Sequence, residues 1–262
     1  MKKSLIIGID LSFNSTGITI KEFLGEVPLN ISFHRLIFDD ESNKFKKYIP
    51  KPILNVNQST YKLPTNISVN DIILDDSDFY SESQAKVTLK AMVCTKRISE
   101  IIYKKIIDIN KDSNIDLYIN IEGFIAPSIQ GINQFNTLAG LIMLQGMLRA
   151  DLIKLKLLPA INIDNFKLFI TSPSDLKKWF TGNGSADKQE MLTNFLTVYN
   201  GKILLPDTTS LDNINDVIDS FALSLNCVAK VKKLTEVKKK PIKKKKKKKA
   251  PAFDILKNSI NL

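Results

Sequence analysis

The chain has 262 residues, 44% of them hydrophobic, with 38 basic against 27 acidic side chains. That is enough apolar material for one sizeable core with appendages. It excludes a membrane-spanning protein: no apolar run is long enough to cross a bilayer, and the run after MKK stops at Asp10, short of a signal peptide's hydrophobic region. The two cysteines, Cys94 and Cys227, lie far apart without metal-ligand spacing, so they read as reduced, buried thiols of an intracellular, cytoplasmic protein.

The charge is concentrated in one place. Residues 231–249 hold twelve lysines and one glutamate; removing these from the 38 basic and 27 acidic residues leaves 26 of each. The body is therefore formally neutral. A like-charged run cannot bury itself, so a folded unit over 1–230 and a disordered lysine-rich tail over 231–262 are expected. Beyond simple solvation, such a run, with Lys243, Lys244, Lys245 and Lys246 at its heart, suits a salt-sensitive tether to nucleic acid.

In chain order, strands are expected at Leu5–Ile9, Gly17–Glu22 and about Ser32–Phe38, spaced as an antiparallel meander. Residues 39–80 are rich in Asp, Asn, Ser and Pro and read as a long loop or small hairpin insertion. Apolar residues in steps of three and four from Val87 to Ile106 predict an amphipathic helix over about 83–109, followed by a strand at Leu117–Ile121. A helix over about 133–155 comes next, whose Gly140 and Gly146 permit close packing within one subunit or at a dimer face. A strand at Phe166–Ile170 leads into TSPSDLKKWF, with Ser174 as the expected helix N-cap and Trp179 in the core. After TGNG, helices are expected at about 186–199 and 212–230. His34, alone in the third strand, reads as structural.

Two apolar strands end on an acid, Asp10 and Glu122, and the last helix carries Asp216 and Asp219 three apart on one face. An acid at the edge of a core needs a compensating charge, either a cation or an arginine, and no arginine is near Asp10 in sequence. Strand ends topped by a helix would gather the four. Clustered hard oxygen donors suit Mg2+, with Mn2+ as a substitute, and two such ions support phosphodiester hydrolysis. Asp10 taken alone equally suits a turn that caps a loop.

The segments GIDLSFNSTGI, YINIEGF, TSPSDLKKWFTGNGSADKQEM and DVIDSFALSL occur in the order seen in RuvC-type Holliday junction resolvases, especially phage and viral ones. The chain resembles that family from about Ile6 to Leu225; the G-x-G-x-A-x-K pattern at 182–188 followed by D-x-x-D at 216–219 is its most specific part. The resemblance implies an α/β, ribonuclease H-like fold with a mixed five-stranded sheet flanked by helices. It implies Asp10, Glu122, Asp216 and Asp219 as metal-binding catalytic acids, Lys188 beside the scissile phosphate, and two Mg2+ ions. It also implies a homodimer acting on branched DNA such as four-way junctions, leaving a 5′-phosphate. Loop residues Asn183, Ser185 and Lys188 become DNA contacts, and Phe124, just after Glu122, an aromatic near the junction centre, although a core role suits Phe124 as well.

The sequence departs from the pattern at Asn183, where many phage relatives carry a lysine, and in the long stretch between Asp10 and Glu122, which the 39–80 insertion mostly fills. Two rival readings stay open. One is an actin-like ATPase or kinase, whose acid-ended strand and Ser/Thr/Gly loop GIDLSFNSTG shares. The other is a non-catalytic DNA-binding or viral structural protein on the same fold.

Overall fold

The computed structural model describes residues 2–39, 56–63, 82–109, 114–124, 132–158, 161–199 and 214–239. The strands are β1 (Lys3–Asp10), β2 (Ser15–Leu24), β3 (Val27–Phe38), β4 (Val56–Tyr61), β5 (Ile115–Glu122) and β6 (Ile163–Thr171). The helices are α1 (Glu82–Ile109), α2 (Ile132–Leu157), α3 (Pro173–Thr181), α4 (Lys188–Val198) and α5 (Asn215–Lys239).

The strands form one sheet in the order β4-β3-β2-β1-β5-β6. Only β2 runs against its neighbours; the β1–β5, β5–β6 and β3–β4 pairs are parallel. This is the mixed, helix-flanked sheet expected of a ribonuclease H-like fold, with a correction: among the described residues the sheet has six strands, not five. The extra one, β4, comes from the stretch expected to be a loop or hairpin. Its residues VNQSTY are mostly exposed or half-buried, because an edge strand presents little to the core, and that hides it from a hydrophobic pattern. Positions 40–55 and 64–80 of the insertion lie outside the described residues, as do Lys243, Lys244, Lys245 and Lys246.

Each face of the sheet has its own core. Alternate residues Leu5, Ile7, Ile9, Ile18, Ile20, Leu117, Ile119 and Ile121 meet Cys94, Ile98, Ile102 and Ile106 of α1 and Leu144, Leu148 and Leu152 of α2. The opposite face carries α5, whose outer side packs with α3 and α4 around Phe33, Phe180, Phe195 and Phe221. Cys94 and Cys227 are both free and buried, Cys94 in the core under α1 and α2.

Local signals set several boundaries differently from expectation. The N-cap of α3 is Ser172, whose Oγ accepts from the Asp175 amide, with Pro173 in the first helical turn; Ser174 is inside the helix. Gly182 closes α3 with φ +87°, which a side chain would strain. Trp179 is 44% exposed, stacked on Phe180 instead of buried, because Leu176 and Phe180 take the inward positions. Helix α5 continues through 231–239, so the first lysines of the tail belong to it. Gly140 packs within the subunit: a Cβ there would meet Val87 of α1 at 2.8 Å, whereas one at Gly146 would meet nothing within 4 Å.

Candidate active site

The site is built where β1 and β5 end. Across the sheet Asp10 pairs with Gly17 and Gly17 with Arg35, and the parallel register that pairs Ile9 with Ile121 sets Glu122 beside Asp10. Directly paired residues share a face, so all four belong to the α5 side. Helix α5 lies almost on the strands. A Cβ at Gly8 would sit 2.0 Å from the Ser220 carbonyl oxygen, and one at Gly17 2.0 Å from that of Asp216. No residue but glycine permits that approach, and it delivers Asp216 and Asp219 to the strand ends.

Three half-buried carboxylates face one another there. Burial drives the Asp10 carboxyl well above its ordinary range, and repulsion from Glu122, Asp219 and Asp216 adds to it. Glu122 is also raised, chiefly by burial, while a hydrogen bond with Asp10 and the nearby Lys177 pull it back. Asp219 is pushed up to about 7 by burial and by Glu122, against the attraction of Lys177 and Lys188. The common cause is burial of the charged form, to which repulsion between the acids adds for Asp10 and Asp219.

Asp216 is held differently. The Nε of Arg35, a side chain with 0% exposure, donates to its Oδ2 at 2.8 Å, and the buried Ser15 hydroxyl donates to the same oxygen. Arg35 Nε also donates to Ser15 Oγ at 3.0 Å. The other oxygen, Oδ1, accepts from the Val217 amide at 2.9 Å.

The loop after α3 supplies the positive side. Lys188 is exposed in the first turn of α4, close enough to act on Asp219, and half-buried Lys177 of α3 acts on both Asp219 and Glu122. Asn183 is exposed but engaged in shaping the loop: its Oδ1 accepts from the Ser185 amide at 3.0 Å and its Nδ2 donates to Glu190 at 3.2 Å. Ser185 is exposed, and Phe124 is half-buried just past β5.

The structure thus brings together Asp10, Glu122, Asp219 and Lys188, turns Asp216 onto Arg35, and sets Asn183 into its own loop. Sequence reasoning missed Lys177, Arg35 and Ser15. Lys177 lies within a quoted motif. The only sign of Arg35 was a charged residue at the centre of an apolar strand.

The donors offered to a metal ion are all carboxylate oxygens, the right chemistry for Mg2+ or Mn2+, and the raised carboxyls mark where such charge is wanted. Among the described residues, no three His, Cys, Asp or Glu side chains stand close enough to share an ion as they lie. The residues fit on donor type, and their side chains must still converge.

No family model and no curated protein matches this chain. Two solved structures are similar in shape. A Thermus thermophilus RuvC structure is 10% identical over 89% of this chain and 97% of its own, with a TM-score of 0.43. The T. thermophilus RuvC in complex with a Holliday junction substrate is 10% identical over 88% and 97%, with a TM-score of 0.40. At that level no residue role follows from the likeness. No helix among the described residues is long and apolar enough to cross a membrane.

Proposed function

We propose that this chain is a metal-dependent, structure-selective DNA endonuclease that cuts branched DNA, with four-way junctions as the preferred substrate. One observation carries the reading: Asp10, Glu122 and Asp219 lie at one end of the sheet with carboxyls raised by burial, and by repulsion in the case of Asp10 and Asp219, while Lys177 acts on Glu122 and Asp219 and Lys188 on Asp219. The motif order that resembles RuvC-type resolvases supports the same reading.

When bound, Mg2+ or Mn2+ makes water a nucleophile near neutral pH and offsets charge on the leaving oxygen. The carboxylates of Asp10, Glu122 and Asp219 hold that charge in place, with Asp216 beside them. Lys188 and Lys177 are point charges for the phosphate being cut and for the extra negative charge it gains on attack. Exposed Ser185 and the loop shaped by Asn183 meet the backbone, and Phe124, two residues after Glu122, is the stacking surface for an unpaired base in this reading. The lysine run, including Lys243, Lys244, Lys245 and Lys246, adds sequence-independent affinity. Two copies of the chain related by a two-fold axis would cut opposite strands of a symmetric junction.

The test is cleavage of a labelled four-way junction beside matched duplex, flap and RNA–DNA hybrid, with Mg2+, Mn2+ or chelator, by the parent and Asp10→Asn. Paired symmetric nicks that need metal and vanish in the variant are expected. Cutting of flaps or hybrids alone would keep the nuclease and change its substrate. No metal-dependent cutting of any substrate would overturn the reading in favour of a non-catalytic binder.

A further inference from the structure

Asp216 and Asp219 are three residues apart in α5, yet their surroundings differ. Asp219 is buried beside Glu122 and also feels the charge of Asp216, against which Lys177 and Lys188 only partly act. Asp216 meets a guanidinium with 0% exposure at 2.8 Å and a buried hydroxyl on the same oxygen, while its second oxygen takes the Val217 amide. A carboxylate that already holds an internal cation has little attraction left for a second one, and freeing it would take a counter-charge from an arginine buried in the core.

We infer that Arg35, with Ser15, is a positioning residue that takes Asp216 as its own counter-ion. The ion-holding set is then Asp10, Glu122 and Asp219, with Asp216 serving to pin the first turn of α5 over Gly17. This deepens the proposed nuclease reading and rests on it for the metal. The pairing spans 181 positions and joins β3 to α5. The carbonyl of the same Asp216 would lie 2.0 Å from a Cβ at Gly17, so the clamp acts where the helix comes closest to the sheet.

The pair and the ion make separate predictions for the full-length chain. Removing either charge takes a close counter-charge from its buried partner, so Arg35→Met and Asp216→Leu each lower the melting temperature by roughly 10 °C, whereas the double variant recovers most of that loss. Mn2+ binding, followed by electron paramagnetic resonance of the free ion, separates the acids. The double variant, which keeps an apolar filling and a folded chain, binds Mn2+ within about three-fold of the parent, while Asp219→Asn weakens it by roughly thirty-fold or more, as loss of a ligand should.

Additive melting losses would overturn the clamp. A double variant that melts like the parent yet loses Mn2+ as severely as Asp219→Asn would return Asp216 to the ion and overturn the assignment. A parent chain that binds no Mn2+ would overturn the metal reading itself and with it the three-acid set, while the melting cycle would still decide the clamp.

Discussion

The two faces of the sheet are made by the same strands and obey opposite rules. Under α1 and α2 the residues are Leu5, Ile7, Ile9, Ile18, Ile20, Ile119 and Ile121, each with 0% exposure. Under α5 the alternate positions of those strands are Gly8, Asp10, Gly17, Thr19, Lys21, Asn120 and Glu122. There the contacts are polar: Thr19 bonds Ser220 at 2.8 Å, Asn120 donates to the Leu223 carbonyl at 3.0 Å, and the Thr171 hydroxyl donates to Asn120 at 2.8 Å. Even Lys21 is buried there, its amine over the Phe221 ring and pushed down to about 7. One face stores stability in apolar area. The other gives some up to bring acids and a helix backbone together, as functional sites commonly do.

The largest effect should come from closing the narrow gap on the polar face. Gly8→Ala places a methyl 2.0 Å from the Ser220 carbonyl and 2.4 Å from the Ser224 amide, both backbone atoms that cannot step aside. Helix α5 must lift, so the variant should fail to melt cooperatively in calorimetry and should lose cleavage. On the apolar face Ile119→Ala is expected to destabilise by about 2–5 kcal/mol through the cavity it leaves. Its cleavage rate per folded molecule should stay near the parent's. A large fall in that rate would show that the two faces are coupled.

For the acids the sign of the stability effect reverses. Asp10→Asn should raise the stability of the metal-free chain by about 1 kcal/mol, because it removes a repelling charge, while abolishing cleavage. The pH dependence follows from the same directions. Carboxyls whose folded pKa lies above the unfolded one contribute stability that is full below the unfolded value and is lost as pH rises through the folded value. For Asp219 that window runs from 3.8 to about 7, and Asp10 and Glu122 shift the same way. Over the same range His34, lowered by burial from 6.5 to about 4, acts in the opposite sense; the three carboxyls together should outweigh it, so the melting temperature of the metal-free chain should fall from pH 4 to pH 8. Millimolar Mg2+ should flatten the fall, and so in part should Asp10→Asn. A melting temperature that rises across this range without metal would contradict the charge excess on which the site rests.

How far the sequence could be read follows from the same contrast. The apolar face was legible, since strict alternation in β1 and steps of three and four in α1 report burial directly. So were the acids at the strand ends and on α5, because each interrupts or rides on such a pattern. The edge strand β4 was not: VNQSTY touches the core mainly through Tyr61 and shows no alternation. Trp179 was misplaced because helical spacing could not say whether the ring joins Leu176 and Phe180 or lies beside them. Arg35 was hidden for another reason. No arginine lies near Asp10 along the chain, and this one comes from β3 and meets Asp216, a pairing that only the folded sheet creates. Ser15 and Lys177 were likewise set by packing across elements.

The smallest expected effect on stability is the most specific for function. Lys188 is exposed at the start of α4, and the capping box there is made by Asp187 and Glu190. A cation at a helix N-terminus is mildly unfavourable to the helix dipole. Lys188→Ala should therefore leave stability within about 0.5 kcal/mol of the parent, or raise it slightly. If the side chain offsets charge on the phosphate under attack, single-turnover cleavage should nonetheless fall by roughly 10²-fold, and Lys188→Arg should recover part of it. Unchanged cleavage would make Lys188 a solvated side chain and pass its role to Lys177, which acts on both Glu122 and Asp219. The double variant Lys177→Ala with Lys188→Ala then separates a shared role from none: a loss greater than the sum of the two single ones identifies two cations serving one phosphate.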